Sequence, residues 1–243
     1  MEIFDDLEAE QDRLEAILGD LDDVAWAAPS AAAGWSVADV VLHLAQTEEG
    51  VVAGADGSQL RDRWVGAAGT LDELMDQWVQ AERAGPAVVF ERWRTARRAA
   101  LSALRQADPQ HPFPWAAAPL KPRALATTRL AEHWAHGLDV TGPLGVPFPD
   151  TDRLRHVAWL AHRSLPYAFA LAGEPPRGVF CELAAPDGTT WRYGPPDAES
   201  TVTGPAGAFC RVGARRLAPA ESGLVAAGPH GPAALRVLRN YAA

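Results

Sequence analysis

Two residues in the central part of the sequence have types and a spacing that suit metal binding. Glu132 and His136 are four residues apart in a segment, residues 129–137, whose pattern is helical. Side chains at positions i and i+4 project from the same face of a helix, one turn apart. A carboxylate and an imidazole at that spacing can bind one ion, so the pair predicts part of a metal site.

A third ligand must come from another element, because a catalytic metal site commonly has three protein ligands and one open position. His43 is the candidate, since it follows a strong helix start at Trp35-Ser36. Its apolar neighbours Leu42 and Leu44 predict that its side chain points inward. Two facing helices could then form a His–Glu–His site with room for water or for a substrate sulfur or oxygen atom.

The spacing leaves alternatives open. A histidine in an apolar helix is more often a hydrogen-bonded core residue than a ligand, and a Glu-x-x-x-His pair can be a plain surface ion pair. His133 could be the ligand instead, but Asp39 or Glu48 would then have to complete the set. Glu48 and Glu49 are alternative carboxylates or solvated residues. The remaining histidines are predicted to be structural or exposed: His111, His156, His162 and His230.

Hydrophobic periodicity predicts an antiparallel helical bundle in the first two-thirds of the chain. Apolar residues at three- and four-residue spacing define a first helix between Phe4 and Leu18. Ser36-x-x-Asp39 has the form of a capping box and predicts a second helix to about residue 54. Five prolines predict a loop across residues 108–122. Further helical segments are predicted at residues 70–79, 89–104, 124–140 and 151–171. Gly142-Pro143 should end the segment that begins at residue 124.

After Pro176 the pattern changes to short strands. Residues 179–183 and 190–193 predict a hairpin around Pro186-Asp187-Gly188. Further strands are predicted at residues 201–204 and 223–226, and helices at 206–213 and 232–241. We therefore divide the chain into a helical bundle, residues 1–176, and a small α+β domain, residues 177–243.

The composition argues against several classes of protein. The formal net charge of −9 is spread along 243 residues, which disfavours a nucleic-acid partner. Two cysteines, Cys181 and Cys210, make no disulfide framework. Cys210 follows Phe209 with no histidine near it in the sequence, so we expect a small buried residue and not a nucleophile. The N-terminus lacks the pattern of a signal peptide and no run suits a membrane span, which predicts a cytoplasmic protein.

The segments around the candidate ligands resemble motifs of a known family. Residues 34–44, Gly-Trp-Ser-Val-Ala-Asp-Val-Val-Leu-His-Leu, resemble the second-helix signature of the DinB-like, mycothiol-dependent maleylpyruvate isomerase superfamily. Residues 132–140, Glu-x-x-x-His followed by a small residue and Asp, resemble its fourth-helix signature. Parts of the tail are similar to the C-terminal domain of an actinobacterial metal-binding branch: residues 186–191, 194–195, 201–206 and 209–212. The resemblance thus covers nearly the whole chain.

The resemblance implies a DinB-like four-helix bundle followed by a small α+β domain of the sterol-carrier-protein-like type. It implies that His43, Glu132 and His136 are the metal ligands, commonly of Zn2+, with other divalent metals such as Fe2+ or Ni2+ as alternatives. The resemblance also implies that the ion activates a low-molecular-weight thiol of the mycothiol type, or a water. This agrees with general chemistry, because a dication lowers the pKa of a thiol or water bound to it.

The leading prediction for function is a metal-dependent thiol S-transferase or isomerase that acts on a small electrophile. The alternatives are a thiol-independent tailoring enzyme of secondary metabolism, such as a hydrolase or cyclase, and a metal-binding module without turnover. The predicted partners are a small-molecule substrate and a small thiol, and the chain could be a monomer or a homodimer. Candidate substrate-binding residues are Arg129, Trp134, Trp35, Arg215 and Arg216, although the last two could simply form a solvated basic turn.

Overall fold

The computed structural model describes residues 2–58, 69–115 and 118–241 of the chain. These residues form two compact units that divide between Phe148 and Pro149. Within the described ranges, none of the helices combines the length and the apolar composition that a membrane span requires.

The N-terminal unit is a helical bundle, as the sequence predicts. Helix α3 packs most extensively against α5, while α6 packs against α1 and α3. The four long helices are α1 (Ile3–Gly19), α3 (Val37–Ala55), α5 (Pro86–Gln106) and α6 (Pro122–Leu144). Two shorter helices, α2 (Asp23–Ala27) and α4 (Leu71–Ala81), complete this unit's described helices.

Capping fixes where helix α3 begins. The Ser36 hydroxyl accepts a hydrogen bond from the Asp39 N–H at 3.2 Å, and the Asp39 carboxylate accepts one from the Ser36 N–H at 2.9 Å. The predicted capping box is therefore present. Apolar residues such as Val40 and Leu44 are buried against the core, and His43 lies among them. The cap thus fixes the residue at which helix α3 begins, and therefore the place of His43 in that helix.

Helix α6 continues past its predicted end. Gly142 and Pro143 lie inside the helix, and the left-handed residue that ends it is Gly145, at φ 67°. Pro143 has no N–H to donate to the carbonyl oxygen of Asp139, four residues earlier. The N–H of Ala31 donates to that oxygen instead, at 2.9 Å. A loop distant in sequence therefore supplies the hydrogen bond that the proline cannot make, and the helix continues.

The C-terminal unit combines helices with a four-stranded sheet of order β2-β1-β3-β4. Strand β1 is antiparallel to β2 and parallel to β3, and β4 is antiparallel to β3. The predicted hairpin turns at Gly188, where φ is 83°. The strands are β1 (Phe180–Ala184), β2 (Thr190–Tyr193), β3 (Thr201–Pro205) and β4 (Val225–Ala227). The helices are α7 (Leu154–Arg163), α8 (Leu165–Leu171), α9 (Ala206–Gly213) and α10 (Gly231–Val237), with a 3-10 turn at Pro219–Glu221.

The division between the units lies earlier than the boundary at residue 176 that we drew from the sequence. The single helix expected over residues 151–171 is two helices, because Pro166 cannot donate an N–H in a continuous helix. Helix α7 packs against α9 and β2, and α8 packs against α10. Both helices therefore belong to the C-terminal unit. Their apolar periodicity predicts helices, as observed, but periodicity does not identify the element on which a helix packs.

Candidate metal site

Helices α3 and α6 bring the three candidate ligands together. Ligand atoms of His43, Glu132 and His136 all lie within 4.8 Å of one another. Oε2 of Glu132 is 3.4 Å from Nε2 of His136 and 3.8 Å from Nε2 of His43. Across the described residues, this is the one such group of three potential metal ligands. Two imidazole nitrogens and one carboxylate oxygen are therefore close enough to one another to bind one ion.

The cluster is buried on the histidine side and accessible at the carboxylate. His43 and His136 are each 8% exposed, whereas the side chain of Glu132 remains 28% exposed. Burial is the main cause that lowers the pKa of His43 to about 4. Burial acts to raise the pKa of Glu132, but its interactions with the two histidines outweigh burial and hold that pKa well below its usual value. At neutral pH the site therefore offers a neutral imidazole and a carboxylate, which are forms that bind metal.

Asp139 holds the ring of His136. Nδ1 of His136 lies 2.9 Å from Oδ2 of Asp139, a distance at which the ring N–H donates to the carboxylate. Burial acts to lower the pKa of His136, but its contacts with Asp139 and Glu132 outweigh this effect and raise the pKa. With Nδ1 held by Asp139, Nε2 is the nitrogen that faces the cluster, and a metal ion bound there would take the place of its proton. A carboxylate behind a histidine is a common second partner in metal sites.

No role for Asp139 follows from the sequence alone, although its spacing of three residues from His136 places it on the same helix face. The other histidine lacks an equivalent partner. Nδ1 of His43 is buried and has no hydrogen-bond partner within the described part of the chain. The two histidines therefore differ in how their rings are held.

Trp35 lies against both histidines of the cluster. Its ring centroid is 5.1 Å from that of His43 and 6.4 Å from that of His136. The indole Nε1 donates a hydrogen bond to Oδ1 of Asp76, on α4, at 2.8 Å. Helix α4 thus fixes the position of an aromatic wall beside the cluster.

His133 is not part of the cluster but a core residue. It is fully buried, and its Nδ1 donates to the carbonyl oxygen of Arg129 at 2.8 Å. Its Nε2 accepts a hydrogen bond from the Trp93 indole at 3.2 Å. Burial is the main cause that lowers the pKa of His133 to about 3, so the ring is neutral. Both ring nitrogens are occupied, which leaves no atom for a metal ion.

The alternative carboxylates also have partners of their own. Each forms an ion pair with an arginine, and none belongs to the group of neighbouring ligand atoms. The pairs are Asp39 with Arg83, Glu49 with Arg92 and Glu48 with Arg129, at N–O distances of 2.8, 2.7 and 2.8 Å.

Two of the candidate substrate-binding residues are buried inside the helical bundle. Arg129 and Trp134 are both 2% exposed, which leaves almost no surface for a substrate. The guanidinium of Arg129 bonds to Glu48 and so corrects the expectation that this arginine faces the substrate. Arg215 and Arg216 are exposed in the C-terminal unit. A substrate-binding role for these two residues stays a prediction.

Neither cysteine has the environment of a nucleophile. Cys181 and Cys210 are fully buried free thiols, which confirms the expected burial of Cys210. Burial raises the pKa of Cys181 to about 12 and also raises that of Cys210. Among the remaining histidines, His111 is exposed and Nε2 of His162 donates to the carbonyl oxygen of Val179 at 2.9 Å.

A DinB-like helical bundle with a His–Glu–His cluster is the class that the fold and the site define. The family model described as the mycothiol maleylpyruvate isomerase N-terminal domain matches residues 7–141. This range is more than half of the chain and contains all three residues of the cluster. The chain belongs to this family, as the two sequence motifs predicted.

The chain is also similar to relatives of known sequence and to two solved structures. The proteins MT0041 and Rv0036c, from two strains of Mycobacterium tuberculosis and both described as uncharacterized, are each 36% identical to the chain over 217 residues. The match covers 88% of this chain and 84% of each relative.

Two crystal structures, of the mycothiol-dependent maleylpyruvate isomerase and of its histidine-to-alanine mutant, give TM-scores of 0.63 and 0.62. Their identities to this chain are 16% and 14%, and the match covers 93% of this chain and 91% of each structure. At these identities the likeness shows the fold.

Proposed function

We propose that the chain is a metal-dependent enzyme that activates a small thiol of the mycothiol type, either to isomerise a small electrophile or to join the thiol to it through sulfur. The observation that carries the proposal is the cluster of His43, Glu132 and His136, whose ligand atoms lie within 4.8 Å of one another. Membership of a family named for a mycothiol-dependent isomerase supports the use of a thiol.

The donor set fits a divalent ion. Two imidazole nitrogens and one carboxylate oxygen are the ligands of catalytic zinc sites that keep an open position. The Nε2 atoms of both histidines face the same oxygen of Glu132, and Asp139 supports one of the rings. We propose Zn2+, with Fe2+ or Ni2+ as alternatives, because non-haem iron also takes two histidines and a carboxylate.

A divalent ion at this site would lower the pKa of a thiol or water bound to it and so supply a nucleophile near neutral pH. The residues of the chain have separate tasks. Glu132 contributes the negative charge of the site, and its partly exposed side chain lies where the site is accessible to solvent. Asp139 holds the ring of His136 so that Nε2 faces the cluster. Trp35 covers both imidazoles and provides an apolar wall that excludes water.

Two alternatives share the same cluster. One is a thiol-independent tailoring enzyme of secondary metabolism that hydrolyses or cyclises its substrate. The other is a metal-binding module without turnover.

Binding of mycothiol to metal-loaded and metal-free protein tests the proposal. Calorimetry should detect binding of mycothiol only to the metal-loaded protein. S-methylated mycothiol is the matched control, because it keeps the scaffold but cannot form a thiolate, and it should bind more weakly. Metal-loaded protein that binds neither compound would contradict a thiol-dependent function and leave the two alternatives.

A further inference from the structure

A buried ion pair joins the two helices that carry the candidate ligands. Arg129, on α6, is 2% exposed, and Glu48, on α3, is completely buried. Nε of Arg129 lies 2.8 Å from Oε1 of Glu48. The pair lies inside the bundle, where water does not screen the two charges.

Thr47 extends this pair to the backbone of a candidate ligand. Nη2 of Arg129 donates to the Thr47 hydroxyl at 2.7 Å, and this hydroxyl donates to the carbonyl oxygen of His43 at 2.9 Å. Arg129 lies one helical turn before Glu132, and Thr47 lies one turn after His43. The contacts therefore connect the turn beside Glu132 with the turn that carries His43.

The backbone of Arg129 is held as well. Its carbonyl oxygen accepts the hydrogen bond from Nδ1 of His133, and Nε2 of His133 accepts from Trp93 on α5. Both the side chain and the main chain of Arg129 are thus bonded to neighbouring groups. A residue fixed at both ends has little freedom to shift along its helix axis.

Stability alone is a poor explanation for this buried pair. The cost of removing two charges from water commonly cancels their attraction, and apolar side chains of similar volume often stabilise a core as well. Oε2 of Glu48 is buried without a hydrogen-bond partner in the described part of the chain, which adds to that cost. A role in connecting the two ligand-bearing helices explains the position of the pair better than stability does.

Charge balance is a second reason for the pairing of Glu48 with Arg129. The guanidinium of Arg129 lies on the helical turn next to Glu132, and an unpaired cation there would repel a divalent ion. Glu48 supplies the compensating negative charge. The pair can therefore hold the helices together without placing a net positive charge beside the site.

We propose that Arg129, Glu48 and Thr47 form a positioning element that sets the register of α3 against α6, and with it the placement of His43 relative to Glu132 and His136. The inference rests on the proposed metal site and deepens it by naming residues that neither bind the ion nor touch the substrate. It gives Arg129 a positioning role in place of substrate contact.

Two adjacent glutamates on α3 provide a matched test. Glu48 pairs with an arginine of the other ligand-bearing helix, whereas Glu49 pairs with Arg92 of α5, which carries no ligand. Zn2+ affinity is measured by competition with a chromophoric chelator. Glu48→Gln should weaken Zn2+ binding by about 10- to 100-fold. Glu49→Gln should change it by less than about threefold, because the pair is partly exposed.

Thr47 carries the test if Glu48→Gln does not fold. Thr47→Val keeps the shape of the side chain but removes the bridging hydroxyl, and should weaken Zn2+ binding by about tenfold. Thr47→Ser keeps the hydroxyl and should bind Zn2+ with nearly wild-type affinity. In Co2+-substituted protein, the visible absorption bands report the coordination geometry. They should change in Thr47→Val but not in Thr47→Ser or Glu49→Gln.

The outcomes separate a positioning role from a structural one. Wild-type Zn2+ affinity and Co2+ spectra in Thr47→Val, and in Glu48→Gln where it folds, would overturn the proposal whatever their melting temperatures. Equal weakening by Glu48→Gln and Glu49→Gln would also overturn it, because it would indicate general destabilisation. In either case the proposed function stands. Wild-type protein that binds no divalent metal contradicts the proposed function itself, and the positioning role with it.

Discussion

Oδ2 of Asp139 lies 2.9 Å from Nδ1 of His136, one turn further along the same helix. The contact leaves Nε2 of this histidine directed at Glu132. Since the backbone oxygen of Asp139 is also bonded to Ala31, the aspartate is held at its main chain and its side chain. Asp139 is therefore held firmly in the position from which it contacts His136.

Substitution of Asp139 should weaken metal binding in a graded way. Asp139→Asn keeps an acceptor oxygen for the His136 N–H but loses the charge, and Asp139→Ala loses both. We expect about tenfold weaker Zn2+ binding in Asp139→Asn and up to about 100-fold in Asp139→Ala. Calorimetric titration of metal-free protein measures both. Wild-type affinity in Asp139→Ala would show that the carboxylate does not support the site.

The hydrogen bond between Trp35 and Asp76 should control access to the cluster. Asp76→Leu removes the acceptor of the indole N–H and frees the ring that lies beside both histidines. We expect a chelator to remove the metal several-fold faster from this variant, as followed by stopped-flow absorbance. Asp76→Asn keeps an acceptor oxygen and is the control, with a rate near that of the wild type. Equal rates of metal removal from the wild type and both variants would show that the Trp35 ring does not control access to the cluster.

Two glycines of α6 should respond in opposite directions to alanine. A Cβ at Gly137 would lie 2.5 Å from Cζ of Phe148, whose ring is also covered by the guanidinium of Arg13. Gly137→Ala should lower the free energy of unfolding by about 1–3 kcal/mol through overpacking. At Gly142 nothing lies within 4 Å of such a Cβ.

Gly142→Ala should therefore raise the free energy of unfolding by about 0.5–1 kcal/mol, because alanine is the better helix former. Urea denaturation monitored by circular dichroism measures both variants. The packing of Phe148 on α6 is contradicted if Gly137→Ala is as stable as Gly142→Ala.

The two cysteines predict a loss of stability at high pH. Their pKa values are raised by burial, so the folded protein keeps thiol protons that the unfolded chain loses above about pH 8.5. The stabilisation is complete below that pH and is lost as the pH rises toward about 12, the raised pKa of Cys181.

Urea denaturation between neutral pH and pH 10 measures this loss, and a Cys181→Ala, Cys210→Ala double variant should show a shallower decline. A thiol reagent at pH 8 should leave the native protein unmodified and label both cysteines in denaturant. Rapid labelling of either cysteine in the native protein would contradict its burial.

Residue types and spacing made the three residues of the cluster candidates, and the resemblance of two helical motifs to a known family selected them from the alternatives. Residue types and spacing were not enough to predict the end of α6, since the hydrogen bond that lets Pro143 stay helical comes from Ala31, far away in sequence. The ion pair of Arg129 and Glu48 could not be predicted for the same reason, because the two residues are 81 positions apart in the sequence. Local patterns specify helices, but packing decides which polar groups meet inside them.

Metal content of the purified protein tests the central claim most directly. Protein purified without chelators is analysed by inductively coupled plasma mass spectrometry beside His43→Ala, His136→Ala and His111→Ala, the last being an exposed histidine that serves as control. We predict on the order of one divalent ion per chain in the wild type and in His111→Ala. Both cluster variants should lose most of the metal. Unchanged metal content in His43→Ala and His136→Ala would contradict the assignment of the site.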